Sequence, residues 1–292
     1  MFKFTSDSQR LRKINLDSRY RNLQQNPNPY DVIFPLGEDI NNITILRTID
    51  VQIPATDYNI TEYDNKFTVR DNGVDYNVVI PPGDYDSVRL VTVLNQLFAD
   101  DVTGAGATNT YSVSINANGM LVVEGAGGTL PFRLLYATGA NSDIIMNTNG
   151  DTWKVTQFNG SARIIMGFNI ADYVSAVDPV TLVHTITSSN KVNLDGQTYV
   201  LLALNPVGKQ SDSMNNVETA NGNVKPVYMK VPLNTPNNAV GYWYNFVQEF
   251  QKIHPAITRM RRIQARLLRF DGNPYNTRGI DWSMTLELGT LQ

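Results

Sequence analysis

The sequence predicts a mainly β protein: a single antiparallel jelly-roll sandwich with an inserted small α+β domain. Three observations carry that expectation: period-two hydrophobic alternation, dense turn chemistry and little helical periodicity. Tyr30, Val32, Phe34 and Leu36 recur at every second position. So do Ile43, Ile45, Ile49, Val51 and Ile53, with Thr44, Thr48, Asp50 and Gln52 between them. Val227, Met229 and Val231 repeat the spacing, as do Trp282, Met284, Leu286 and Leu288. One buried and one wet face is the habit of antiparallel rather than parallel sheets. Strands are expected at 30–36, 43–54, 56–61, 198–204, 226–232, 242–250, 260–270 and 281–288.

Turn dipeptides divide these runs. Asn-Gly stands at 72–73, 118–119, 149–150, 159–160 and 221–222, and Asp-Gly at 195–196 and 271–272. Asn118-Gly119, between Tyr111, Val113, Ile115 and Leu121, Val123, predicts a hairpin closed by a type I′ turn. Leu90, Val93, Leu94, Leu97 and Phe98 predict one helix over 87–98, capped by Asp86 or Ser87. A second short helix is expected at 159–166, ahead of Gly167. Both helices fall in 63–192, read as the inserted α+β domain; 1–62 and 193–292 then form a discontinuous jelly roll. Eight antiparallel strands suit that architecture. An immunoglobulin-like sandwich competes, but a chain with 0 Cys cannot carry the Cys-Trp-Cys signature.

Composition narrows the function classes. At 42% hydrophobic the chain can bury a real core, while only 17% of residues are charged and 32 are Asn. Uncharged polar groups therefore make up much of the surface, which suits wet, hydrogen-bonded contacts between subunits. Lack of Cys excludes disulfides, thiolate nucleophiles and Cys-ligated metals. No apolar run reaches the ~18 residues of a membrane span. Met1–Arg21 lacks the apolar core of a secretory signal. A protein folded in a reducing compartment, without a membrane span, is the expectation.

Charge is segregated along the chain. Residues 1–21 carry a net +4 and residues 252–278 a net +6, so the remainder must hold −13 to reach −3 overall. The segment 63–192 alone carries −5. Such asymmetry implies two electrically different faces.

The search for chemistry returns little. His184, in Leu182–Ile186, reads as an exposed strand position, and His254, before Pro255, as a loop residue. Neither belongs to a metal-ligand motif. Gly104-Ala105-Gly106 and Gly125-Ala126-Gly127-Gly128 lack the strand-to-helix setting and the Gly-Lys-Ser/Thr of a phosphate loop. Asp84/Asp86 and Asp100/Asp101 read as solvated acids or helix caps. Asp71-Asn72-Gly73-Val74-Asp75 is a partial echo of a calcium loop without its closing Glu. No catalytic, cofactor-binding or metal residues are assigned, and the chain is not expected to be an enzyme.

The strongest polar feature is Arg259, Arg261, Arg262, Arg266 and Arg269, with Ile263, Ala265 and Leu267 free to share a buried face. Together with Arg10, Arg12 and Lys13 these form the candidate DNA- or partner-facing residues. They would meet the phosphates of DNA non-specifically or an acidic partner through charge-assisted bonds. The bland reading is a strand whose charges block unwanted pairing.

Leu16-Asp17-Ser18-Arg19-Tyr20-Arg21-Asn22, followed by Asn26-Pro27-Asn28-Pro29-Tyr30-Asp31-Val32 and Phe34-Pro35-Leu36, resembles the N-terminus of virophage penton proteins. Related minor capsid proteins of large DNA viruses look alike there. The likeness continues through Ile53-Pro54, Asp57-Tyr58-Asn59-Ile60, Val79-Ile80-Pro81-Pro82-Gly83-Asp84-Tyr85 and Met166-Gly167-Phe168. It closes on Asp271-Gly272-Asn273 and Gly279-Ile280-Asp281-Trp282-Ser283-Met284-Thr285-Leu286-Glu287-Leu288. The resemblance implies a structural capsid protein of the virion, made in the host cytoplasm. Five copies would form a homopentamer at each vertex of an icosahedral shell, beside a double-jelly-roll major capsid protein. It implies no catalytic residue. The alternative is a carbohydrate-binding or host-attachment β-sandwich module, since jelly rolls also serve lectins.

Overall fold

A computed structural model describes residues 9–142, 144–146, 152–154, 161–205, 215–218, 224–235, 239–244, 251–270 and 272–291. The chain divides into two compact units, one made of Met1–Asp57 and Gln197–Gln292, the other of Tyr58–Gly196. The first unit opens with β1 (Gln9–Asp17) and β2 (Asp31–Pro54). The second carries β3 (Lys66–Asp71), β4 (Val74–Val79), α1 (Ser87–Leu97), β5 (Thr110–Ile115), β6 (Met120–Ala126) and β7 (Arg133–Leu135). It continues with β8 (Ile144–Met146), β9 (Thr152–Lys154), β10 (Asp172–Val174), β11 (Ala176–Val177) and β12 (His184–Lys191). The first unit then resumes with β13 (Tyr199–Asn205), β14 (Asn215–Glu218), β15 (Val224–Val227), β16 (Met229–Pro232), β17 (Val240–Tyr244), β18 (Gln251–Leu268) and β19 (Ser283–Leu291).

The molecule is mainly β, with antiparallel sheets and a small helical element, as the alternation predicts. In the first unit the strand order is β1-β19-β2-β18-β13-β16, and β17 also pairs with β2. The 24 residues of β2 serve two sets of partners. Its first half lies against β18, with Val32 opposite Ala265 and Phe34 opposite Ile263. Its last residues lie between β19 and β17, with Val51 opposite both Met284 and Trp243.

Bulges make this sharing possible, because an extra residue bends a strand and resets which side chains point inward. Against β19 the register of β2 jumps from Asp50 to Thr48 and from Ile45 to Ile43. Burial changes phase at those points: Val51 and Ile53 are inside, then Leu46 and Thr48, then Ile43. The strict alternation expected across Ile43, Ile45 and Ile49 is therefore corrected, since Ile45 and Ile49 are only half-buried. The expected strands 30–36 and 43–54 are one element.

The two ends of the chain close the core together. Ser18 is fully buried; its N–H donates to the Trp282 carbonyl at 2.9 Å and its Oγ donates to Asp281 Oδ1 at 2.8 Å. Trp282 N–H returns a bond to Ser18 Oγ at 2.9 Å, and its indole Nε1 donates to the Pro29 carbonyl at 2.6 Å. Arg21 pairs with Asp281 and donates to the Ser18 carbonyl at 2.8 Å. The Trp282 ring meets Phe34 edge-on, with centroids 6.0 Å apart.

The second unit has its own core. Its sheets run β10-β7-β3-β4 and β11-β12-β6-β5. Leu90, Leu94 and Phe98 of the helical segment bury themselves with Phe67, Tyr111 and Phe132. Asp86 caps α1 by accepting from Arg89 N–H at 2.7 Å. Asp71 is buried with no cationic partner among the described residues: it accepts from Thr108 Oγ1, Asn109 N–H and Nδ2, and Tyr111 Oη, all within 3.1 Å.

Several local expectations are corrected. Residues 56–61 form no strand; Ile60 makes an isolated bridge to Gly83. The helix expected over 159–166 is a single turn in its described part, 161–166. It ends where Gly167 takes φ 80 and Phe168 N–H closes on the Arg163 carbonyl at 2.7 Å. Residues 159–160 and 245–250, the latter in an expected strand, lie outside the described residues. The hairpin at 118–119 is present, but its loop spans 116–119 and only Gly119 has positive φ. A type I turn followed by a left-handed glycine therefore replaces type I′. The true type I′ pair is Asn72-Gly73, with φ 49 and 81. That turn joins β3 to β4, and Asp75 pairs with Arg70, so the calcium-loop echo is a hairpin.

Candidate partner interface

The arginine row lies along β18. Ile263, Ala265 and Leu267 are fully buried, which leaves Arg262 and Arg266 exposed and Gln264 half-exposed on the opposite face. Arg259 and Arg261 are also exposed, flanking buried Met260. Between Met260 and Arg262 the pairing with β2 is interrupted: Ile40 faces Met260 but Pro35 faces Arg262. Four residues of β2, Leu36 to Asp39, thus bulge out opposite the single residue Arg261.

That bulge carries two carboxylates into the basic surface. Asp39 accepts from Arg259 Nε at 2.7 Å and from Arg261 Nε at 2.9 Å. Glu38 pairs with Arg12 of β1. The Arg12 guanidinium holds the Glu38 carboxyl below its usual range. The two basic segments, far apart in sequence, therefore meet at one acidic bulge. Arg10 and Lys13 are exposed on β1 and, like Arg262 and Arg266, have no ion pair among the described residues. Asn205, Arg259, Arg261, Arg262 and Gln264 line an open groove of about 340 Å³. Gln264 Nε2 donates to Asp31 Oδ1 at 2.8 Å.

Arg269 does not belong to this surface. It is 2% exposed and pairs with Asp57 at 3.2 Å, which also lies 3.7 Å from Arg278. The reason was present in the spacing: 269 shares the parity of 263, 265 and 267, the buried positions. Tyr275 seals the neighbourhood, its hydroxyl donating to the Pro54 carbonyl at 2.8 Å; burial pushes its pKa up to about 12.

The histidines are placed differently from expectation. His184 is 4% exposed, on the same face of β12 as buried Ile186 and Ser188, so it is not a surface residue. His254 is exposed within β18 rather than in a loop. Asp100 accepts from Gln96 at 2.6 Å. No group of three or more His, Asp or Glu that could hold a metal occurs among the described residues. No described helix is long and apolar enough to cross a membrane. Sequence reasoning missed Glu38 and Asp39; adjacent acids between two apolar runs were the available signal.

No family model matches the chain. Over 102 residues it is 31% identical to an uncharacterised protein of Acanthamoeba polyphaga mimivirus, a match spanning 35% of this chain and 16% of that protein. The matched stretch thus spans about a sixth of that relative's length. Among solved structures it is similar to the mavirus penton protein, with TM-score 0.46 and 10% identity over 97% of this chain and 99% of that one.

Proposed function

We propose that this chain is a structural capsid protein of a virion, five copies of which form a homopentamer at the vertices of an icosahedral shell. Its neighbours there would be a double-jelly-roll major capsid protein, and Tyr58–Gly196 would be a domain inserted into the jelly roll. One observation carries the reading: the landmarks of the penton resemblance, distant in sequence, interlock. Ser18, Arg21 and Pro29 come from the N-terminal motifs, Asp281 and Trp282 from the C-terminal motif, and all five share one hydrogen-bonded corner. Motifs scattered by chance have no reason to meet. The local similarity to a mimivirus protein fits a viral setting. A ring of identical chains needs two different complementary patches on each copy, and the basic surface at β18 and β1 offers one. Native mass measurement of the purified chain over a range of concentrations tests the proposal. A five-chain species is expected; a different fixed stoichiometry, such as a dimer or trimer, would overturn it.

A further inference from the structure

We propose that the outer face of β18 at Arg262, Gln264 and Arg266, with the adjoining groove, docks an extended acidic polypeptide segment of another chain. Asp39 is the built-in example of the recognition. One carboxylate, presented by the β2 bulge, is gripped by Arg259 and Arg261 through their Nε atoms at 2.7 and 2.9 Å. Charge-assisted pairing of this kind is directional and about twice as strong as a neutral hydrogen bond. Next to that occupied pair, Arg262 and Arg266 present the same chemistry, exposed and with no ion pair among the described residues, although Asp31, held by Gln264, stands opposite Arg266.

Geometry favours a polypeptide. Alternate residues of a strand lie about 6.8 Å apart on one face, so Arg262 and Arg266 stand about 14 Å apart with Gln264 between them. An extended segment with carboxylates four residues apart matches that repeat. Asn205, directly opposite Gln264 on β13, adds a neutral amide at the groove. A groove of about 340 Å³ admits a few side chains.

Charge disfavours nucleic acid as the occupant. Four arginines here face two fixed carboxylates, Asp31 and Asp39, so the local excess is small. Duplex binding draws its affinity from neutralising many phosphates at once and is hindered by anions built into the surface. Discrete carboxylates ask only for discrete partners.

Fluorescence anisotropy with the full chain tests it, using a labelled Glu-Thr repeat peptide, its Gln-for-Glu counterpart and a short DNA duplex at about 0.15 M salt. The Glu peptide should bind and the Gln peptide should not. Arg262→Gln with Arg266→Gln should weaken binding about tenfold or more. Asp39→Asn, by releasing Arg259 and Arg261, should tighten it several-fold. Thermal unfolding of each variant verifies the fold, and mass measurement of the same samples separates this outcome from the pentamer question. No peptide binding, unchanged binding in the double variant, unchanged binding in Asp39→Asn, or tighter binding of duplex than of peptide would each overturn the proposal.

Discussion

Ser18 and Trp282, 264 positions apart, exchange backbone and side-chain hydrogen bonds of 2.9 Å. These bonds tie the 3₁₀ turn at Ser18–Tyr20 to the lead into β19. Ser18→Ala removes the Oγ that satisfies the buried Trp282 N–H and donates to Asp281. The expected loss is about 1–3 kcal/mol, the cost of stranding a buried donor. Urea unfolding measures it, and a change within error would contradict the role of this corner.

Arg47 and Glu287 are directly opposed on β2 and β19, with side chains 14% and 6% exposed. Breaking a buried pair from one side leaves a stranded charge, so Arg47→Met alone should cost about 3–5 kcal/mol. Adding Glu287→Met should recover much of that, because an apolar pair no longer strands anything. A double-mutant cycle by chemical denaturation reads the coupling, and simple additivity would refute it.

Asp71 should make the protein acid-labile. Burial pushes its carboxyl up, but the donors Asn109, Thr108 and Tyr111 together outweigh burial and hold it below the usual value. With the folded-state pKa depressed, its stabilisation is complete above the unfolded-state value near ~3.9 and is lost as pH falls through the folded value. Asp17, Glu38 and Asp75 shift in the same direction through their arginine partners. Asp71→Asn should lower stability at neutral pH and flatten the loss between pH ~5 and ~2. Denaturant midpoints across that range decide; parallel curves for variant and wild type would exclude Asp71 as a contributor.

Two glycines with nearly the same φ should respond differently to alanine. Gly73, φ 81, has open space where a Cβ would go, so Gly73→Ala should cost about 1–2 kcal/mol of backbone strain. At Gly167, φ 80, the added Cβ would lie 2.3 Å from the Asn190 carbonyl oxygen, a backbone atom that cannot swing aside. Gly167→Ala should therefore lose at least about twice as much, or fail to fold. Comparing melting temperatures tests the ranking.

What the sequence determined by itself was local. Period-two runs, Asn-Gly turns and the Leu90–Leu94–Phe98 spacing establish antiparallel strands, hairpins and one helix, because burial of one face acts on neighbouring residues. The outward row of Arg262 and Arg266 against Ile263 and Ala265 was legible for the same reason. Even the inward turn of Arg269 was written in its parity. Only tertiary structure decided where that parity changes. The bulges of β2 arise from pairing with β18 and β19, partners more than 200 residues away, and no local spacing encodes them. They move Ile45 and Ile49 away from the core and lift Asp39 onto Arg259 and Arg261. A carboxylate's partner is whatever the fold brings within about 3 Å, and that distance exists only once the chain has closed.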